Sequence, residues 1–184
     1  MNVYLAGPIF TERDRMYLDY LYEKLVGVLP SGTNIYVPHR NKSINDKTKC
    51  ATSYDIYWGD YNRLKETDLL IAVISGDTPP IGTTCEIGIF TQMIDANPKK
   101  KMVVLYDDCR EGYITCQGTV GNQKLDAMRR EPGENQMSYV NIFLTGAIKT
   151  HGKLVCDSND LLTTISKLYS NIDAENEGDN SSEQ

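Results

Sequence analysis

Only two histidines, His39 and His151, occur in the 184 residues, and the five cysteines (Cys50, Cys85, Cys109, Cys116 and Cys156) are scattered. No CxxC pair is present, so a structural zinc site, which needs clustered ligands, is not expected. Cys109 and Cys116 are close enough in sequence to pair, but reduced thiols suit a cytosolic chain better. Neither a GxGxxG run nor a Walker sequence occurs, which removes the motif support for dinucleotide and nucleoside-triphosphate sites. No apolar run approaches the ~20 residues of a membrane-spanning helix, and the N-terminus lacks the basic region of a signal peptide. A soluble, cytoplasmic protein is the expectation. Positive charge is also in short supply. Nineteen basic residues face 25 acidic ones, a net charge of −6, which argues against a nucleic-acid polymer as partner.

That acidity is unevenly distributed. Residues 173–184, DAENEGDNSSEQ, hold five acids and no base, leaving 20 acids against 19 bases in residues 1–172. A single folded domain over 1–172, followed by a disordered acidic tail over 173–184, is expected. Within the domain, short apolar strands alternate with helical patterns. NVYLAG (2–7), NIYVP (34–38), LLIAVIS (69–75), KMVVLY (101–106) and NIFLTGAI (141–148) read as strands. Residues 12–29, 54–66, about 84–97 and 158–171 carry helical spacing. This alternation predicts an α/β fold with a mainly parallel sheet of about five strands flanked by helices, Rossmann- or flavodoxin-like. The polar stretch 107–139 has no clear periodicity, and long irregular segments of that kind are usually functional or interfacial. In such sheets ligands bind beyond the carboxyl ends of the strands, which directs attention to loops 7–13, 39–53 and 76–83.

Three residues stand out. Glu86 follows Gly82-Thr83-Thr84 after a fully apolar strand. Thr83-x-x-Glu86 matches a capping box, a structural role, but a carboxylate at the ligand edge also suits attack on an electrophilic carbon. The two roles are compatible. Asp60 shares a helix face with Ile56 and Leu64 at intervals of four. A carboxylate on an apolar stripe either reaches water at the stripe's edge or has a raised pKa that makes it a usable general acid. Tyr4, inside the first strand, is by type a core residue whose hydroxyl needs a partner.

Taken in order, YLAGPIF (4–10), GDYNRLKETDLLIAVI (59–74), IGTTCEIG (81–88) and SYVNIFLTGAI (138–148) resemble the nucleoside 2-deoxyribosyltransferase family. The resemblance implies that Glu86, in the GxxxExG segment from Gly82 to Gly88, is the nucleophile. It implies that Asp60 protonates the leaving base and that Tyr4 holds the nucleophile. Gly7 and Phe10 would shape the base pocket, and Asn141 would reach the sugar 5′-hydroxyl in a neighbouring subunit's site. Two departures bear on substrate recognition. Pro80 stands where the family usually has a substrate-binding aspartate six residues before the nucleophile, leaving Asp77 as the nearest acid. Lys42 stands where some relatives have a glutamine near the base. Some members also end at an aromatic residue whose terminal carboxylate enters the site, whereas this chain continues through its acidic segment.

The implied activity is transfer of 2-deoxyribose between nucleobases through a covalent deoxyribosyl-glutamate, with retention. The partners would be a 2′-deoxynucleoside and a free nucleobase, with no metal or organic cofactor, in a homo-oligomer such as a hexamer. Two alternatives stay open at this point. One is a hydrolase of the same superfamily acting on 2′-deoxynucleoside 5′-monophosphates. The other is a non-catalytic nucleotide-sensing module.

Overall fold

A computed structural model describes residues 1–46, 48, 50–74, 78–108 and 140–179, with the side chains of residue 44 and of 170–179 left aside. In chain order the elements are β1 (Asn2–Ala6), α1 (Glu12–Val26), β2 (Asn34–Tyr36), a 3-10 turn (Pro38–Arg40), α2 (Lys42–Asn45) and α3 (Ser53–Glu66). They continue with β3 (Leu69–Val73), α4 (Ile81–Ala96), β4 (Lys101–Leu105), α5 (Ile142–His151), β5 (Lys153–Val155) and α6 (Ser158–Asp179).

The strands form one sheet in the order β2-β1-β3-β4-β5, and every neighbouring pair is parallel. This is the flavodoxin-like doubly wound arrangement, whose strand order reverses between β1 and β3. The expected α/β class and parallel sheet are therefore present.

The strands read as continuous apolar runs because both faces of the sheet are covered. Alternation is nevertheless strict. Val3, Leu5, Leu69, Ile71, Val73, Val103 and Leu105 pack with Leu18, Leu21 and Leu25 of α1 and with Leu161 and Ile165 of α6. Tyr4, Ala6, Leu70, Ala72, Met102 and Val104 face the other way, onto Leu64 of α3, Ile87 and Phe90 of α4, and Leu144 and Ile148 of α5. Because the side-chain period is two, a slip of one residue in β1 would move Tyr4 from the second face to the first.

Local signals set the helix starts. Thr11 and Asp14 form a capping box on α1, and Thr52 and Asp55 form another on α3, each satisfying backbone donors that no intrahelical carbonyl reaches. Gly7 is where β1 leaves the sheet. A Cβ there would lie 2.8 Å from Leu18 Cδ2 and 3.3 Å from Val73 Cβ, so any side chain at this position would have to displace Leu18.

Three sequence expectations are corrected. Residues 141–148 are not a strand. Asn141 caps α5, its side chain accepting a hydrogen bond from the Phe143 N–H at 2.9 Å, and Leu144, Thr145 and Ile148 form the buried stripe at helical spacing. The fifth strand is the three-residue β5 that follows. Gly152 makes the turn into it, where any Cβ would run into the Met102 carbonyl. The polar loop expected after β2 contains the 3-10 turn and α2. Finally, α6 continues to Asp179, beyond the expected end at residue 171.

Candidate active site

A further correction concerns Glu86. The helix that carries it starts at Ile81 with Pro80 at the N-cap position and no side-chain cap. Thr83 is already inside the first turn and buried, so the Thr83–Glu86 capping box does not form. Glu86 is thus the sixth helical residue, turned back over the sheet rather than toward its own helix end. Its partner lies across the fold: the Tyr4 hydroxyl donates to Glu86 Oε1 at 2.6 Å, a distance typical of a charge-assisted hydrogen bond.

Asp60 is half-buried on the face of α3 that descends from partly exposed Ile56 to buried Leu64. It does not face water alone: the Tyr36 hydroxyl donates to Asp60 Oδ1 at 2.8 Å. Tyr36 in turn accepts a hydrogen bond from Asn41 Nδ2 at 2.9 Å. Tyr36 and Tyr4 sit opposite each other in the β1–β2 register, with ring centroids 5.1 Å apart. Two tyrosines on neighbouring strands therefore address two carboxylates on consecutive helices.

Electrostatics distinguish the members of this group. Burial pushes the Glu86 carboxyl from its ordinary 4.5 up to about 7; the Tyr4 hydrogen bond opposes that shift, and the Asp60 charge adds to it. Burial also raises Asp60, against hydrogen bonds from Tyr36 and Tyr4 that favour its ionised form. Tyr4 is held far above the ordinary phenol range, first by burial and then by the charges of Glu86 and Asp60, so it stays a proton donor. Perturbed carboxyls gathered at a sheet edge are what acid–base and nucleophilic chemistry requires.

The remaining expected residues are placed as follows. Gly7 packs against α1 and β3 beside the site, and Phe10 projects from the same loop with 91% of its surface exposed. Arg15 pins this loop by donating to the carbonyls of Ile9 and Phe10. Lys42 is exposed on α2, next to Asn41, and Gly82 is exposed in the first turn of α4. Asn141 is exposed, with its side-chain oxygen engaged in capping α5. Asp77 lies outside the described residues. Tyr36 and Asn41 were not anticipated. The signal was there, since Asn34-Ile35-Tyr36 echoes Asn2-Val3-Tyr4 at matching register positions. Among the described residues no group of three or more His, Cys, Asp or Glu is arranged to hold a metal, and no helix is long and apolar enough to cross a membrane.

A doubly wound parallel sheet carrying a tyrosine-held glutamate and a second carboxyl at its switch point defines an enzyme-type site. A model of the family described as nucleoside 2-deoxyribosyltransferase matches residues 3–137. The chain belongs to that family, whose members act on nucleosides as transferases or related glycosidases. Among solved structures, a conserved protein from Enterococcus faecalis V583 is 35% identical, with a TM-score of 0.68 over 90% of this chain and 97% of that one. A 2-deoxyribosyltransferase from Bacillus psychrosaccharolyticus shares the fold at 15% identity, with a TM-score of 0.56 over 90% of this chain and 96% of that one. Among curated protein sequences none matches significantly.

Proposed function

We propose that the protein transfers 2-deoxyribose between nucleobases, with Glu86 as nucleophile, Asp60 as general acid and base, and Tyr4 as the residue that orients Glu86. The observation that carries this reading is the Tyr4–Glu86 hydrogen bond of 2.6 Å beside a second carboxyl whose charge Glu86 feels. Tyr4 occupies Oε1, which leaves Oε2 to form the bond to C1′ of a 2′-deoxynucleoside. As that bond forms, the C1′–N bond breaks and the base nitrogen takes the proton of Asp60. An acceptor base then attacks C1′, returns a proton to Asp60 and frees the glutamate. Two displacements give net retention and ping-pong kinetics, as in retaining glycosidases.

Base contacts are assigned to Phe10, Lys42, Gly82 and Asp77, and sugar contacts to Asn141 of a neighbouring copy. The strong exposure of Phe10, Trp58, Ile81 and Phe143 supports a homo-oligomer, since apolar surface of this kind is normally covered.

Incubation with a 2′-deoxynucleoside, with and without a second base, tests the reaction. Formation of the new deoxynucleoside is expected; release of free deoxyribose alone, regardless of acceptor, would refute transfer in favour of hydrolysis. A mass increase of one deoxyribosyl group on denatured protein, absent from Glu86→Ala, tests the intermediate.

A further inference from the structure

The hydrogen bond between Tyr36 and Asp60 has its direction set by Asn41. The Ser43 backbone N–H donates to Asn41 Oδ1 at 3.0 Å, and Ser43 Oγ donates to the same atom at 2.6 Å. A backbone N–H cannot accept, so the Asn41 amide must turn its oxygen toward Ser43 and its NH2 group the other way. That NH2 group donates to the Tyr36 hydroxyl. A phenol has one proton, and with Asn41 on its acceptor side that proton points at Asp60 Oδ1. The ring itself is held between Tyr4 at 5.1 Å and the Arg63 guanidinium at 5.6 Å. Tyr36 also borders an open concavity of about 390 Å³ along the outer edge of β2, which it shares with Asn41, Ser43 and Arg63.

We infer that Tyr36, oriented by Asn41, is a positioning residue that occupies Oδ1 of Asp60 and thereby confines the transferable proton to Oδ2. The inference rests on the assignment of Asp60 as the acid and base of the reaction. In the acid form, Oδ1 accepts from Tyr36 while Oδ2–H is the proton given to the leaving base. After transfer the carboxylate keeps the same Tyr36 bond, and the acceptor base returns its proton to Oδ2. The atoms balance in both directions, and Tyr36 itself never loses its proton. Burial, followed by the Asp60 charge, holds its phenol above the ordinary range even though the Asn41 bond lowers it. The Tyr36 bond also favours the ionised carboxylate, making Asp60 a stronger acid than burial alone would allow.

Two variants test this in the full-length protein. Tyr36→Phe keeps the ring and its packing but removes the hydroxyl. Asn41→Asp keeps an acceptor for Ser43 but removes the donor to Tyr36. With a natural 2′-deoxynucleoside as donor, Tyr36→Phe is expected to lower kcat by about tenfold or more while KM moves less than about threefold. The alkaline limb of the kcat profile, where Asp60 loses its proton, is expected to move to higher pH, with a displacement of the same sign in Asn41→Asp. N7-methyl-2′-deoxyguanosine has a cationic base that departs without protonation, so its cleavage is expected to be nearly insensitive to Tyr36→Phe. Equal slowing of both donors, an unmoved alkaline limb, or a change confined to KM would overturn the inference. Asp60→Asn separates the two levels of argument: natural-donor turnover that survives it refutes the acid assignment itself, whatever Tyr36 does.

Discussion

Glu86→Gln removes a charge that the fold holds at a cost, and the size of that cost follows from the site. Burial raises the Glu86 carboxyl from 4.5 to about 7. A group whose folded pKa lies above its unfolded pKa binds its proton more tightly in the native state. Its contribution to stability is therefore complete below 4.5, declines as pH rises, and is lost above about 7. A displacement of roughly 2.5 units corresponds to about 3 kcal/mol, an upper figure because Glu86 keeps some contact with solvent. Between about pH 5.5 and about pH 8.5 the ionising glutamate should cost the native state about 2 kcal/mol. Glutamine is neutral throughout and its side-chain carbonyl still accepts the Tyr4 hydroxyl.

The assay is thermal unfolding of wild type and Glu86→Gln at both pH values and at one fixed protein concentration. Other titrating groups are shared and cancel in the difference. For a chain of this size each kcal/mol moves Tm by roughly 2–4 °C. The Gln variant should therefore gain about 4–8 °C more over wild type at the higher pH than at the lower one. It should at the same time lose base exchange. A gain independent of pH, or a loss at the alkaline value, would show that Glu86 is not a carboxylate ionised against its surroundings.

Tyr4→Phe should leave Glu86 without the hydrogen bond that stabilises its ionised form, so the acid limb of the pH–rate profile should move upward from about 7; an unmoved limb would refute the Tyr4 role. Ile148→Ala should cost about 2–5 kcal/mol, because it opens a cavity beneath α5, and denaturant unfolding measures it; a cost near zero would contradict the helical placement of residues 142–151. Deletion of 173–184 should leave exchange within about twofold, since the buried anchors of α6, Leu161 and Ile165, lie well before the cut; a large loss would assign the acidic segment a part in the site.

Much of the architecture was legible because parallel strands announce themselves as short apolar runs. Asp60 was legible for a related reason: a carboxylate at the i+4 position between Ile56 and Leu64 contradicts its own helix face. The segment IFLTGAI was misread because a short apolar run carries no periodicity of its own. The deciding signals flank it, with Asn141 as a cap and Gly152 as a turn against Met102. Thr83 and Glu86 formed a plausible capping box on paper, yet α4 had already begun at Ile81 after Pro80, where the ring cannot supply an N–H and the chain can turn straight into a helix. Tyr36 was missed for a different reason. Its importance comes from register with Tyr4, and register between strands 30 residues apart is set by the whole sheet rather than by neighbouring residues.

That register brings two similar carboxyls to one face of the sheet. Strand order 2-1-3 places β1 and β2 side by side, so one face of the sheet presents Tyr4 and Tyr36 together. The helices before and after β3 cover that same face and lower one carboxyl toward each phenol: α4 brings Glu86 to Tyr4, and α3 brings Asp60 to Tyr36. The Asp60 charge raises the pKa of Glu86, so one carboxyl discourages ionisation of the other, as like charges in a shared site do. Each carboxyl accepts from a phenol, and the phenol on Asp60 is itself fixed from behind by Asn41. Neither carboxyl could be moved one residue along its helix without leaving its tyrosine, since such a step rotates the side chain by about 100°.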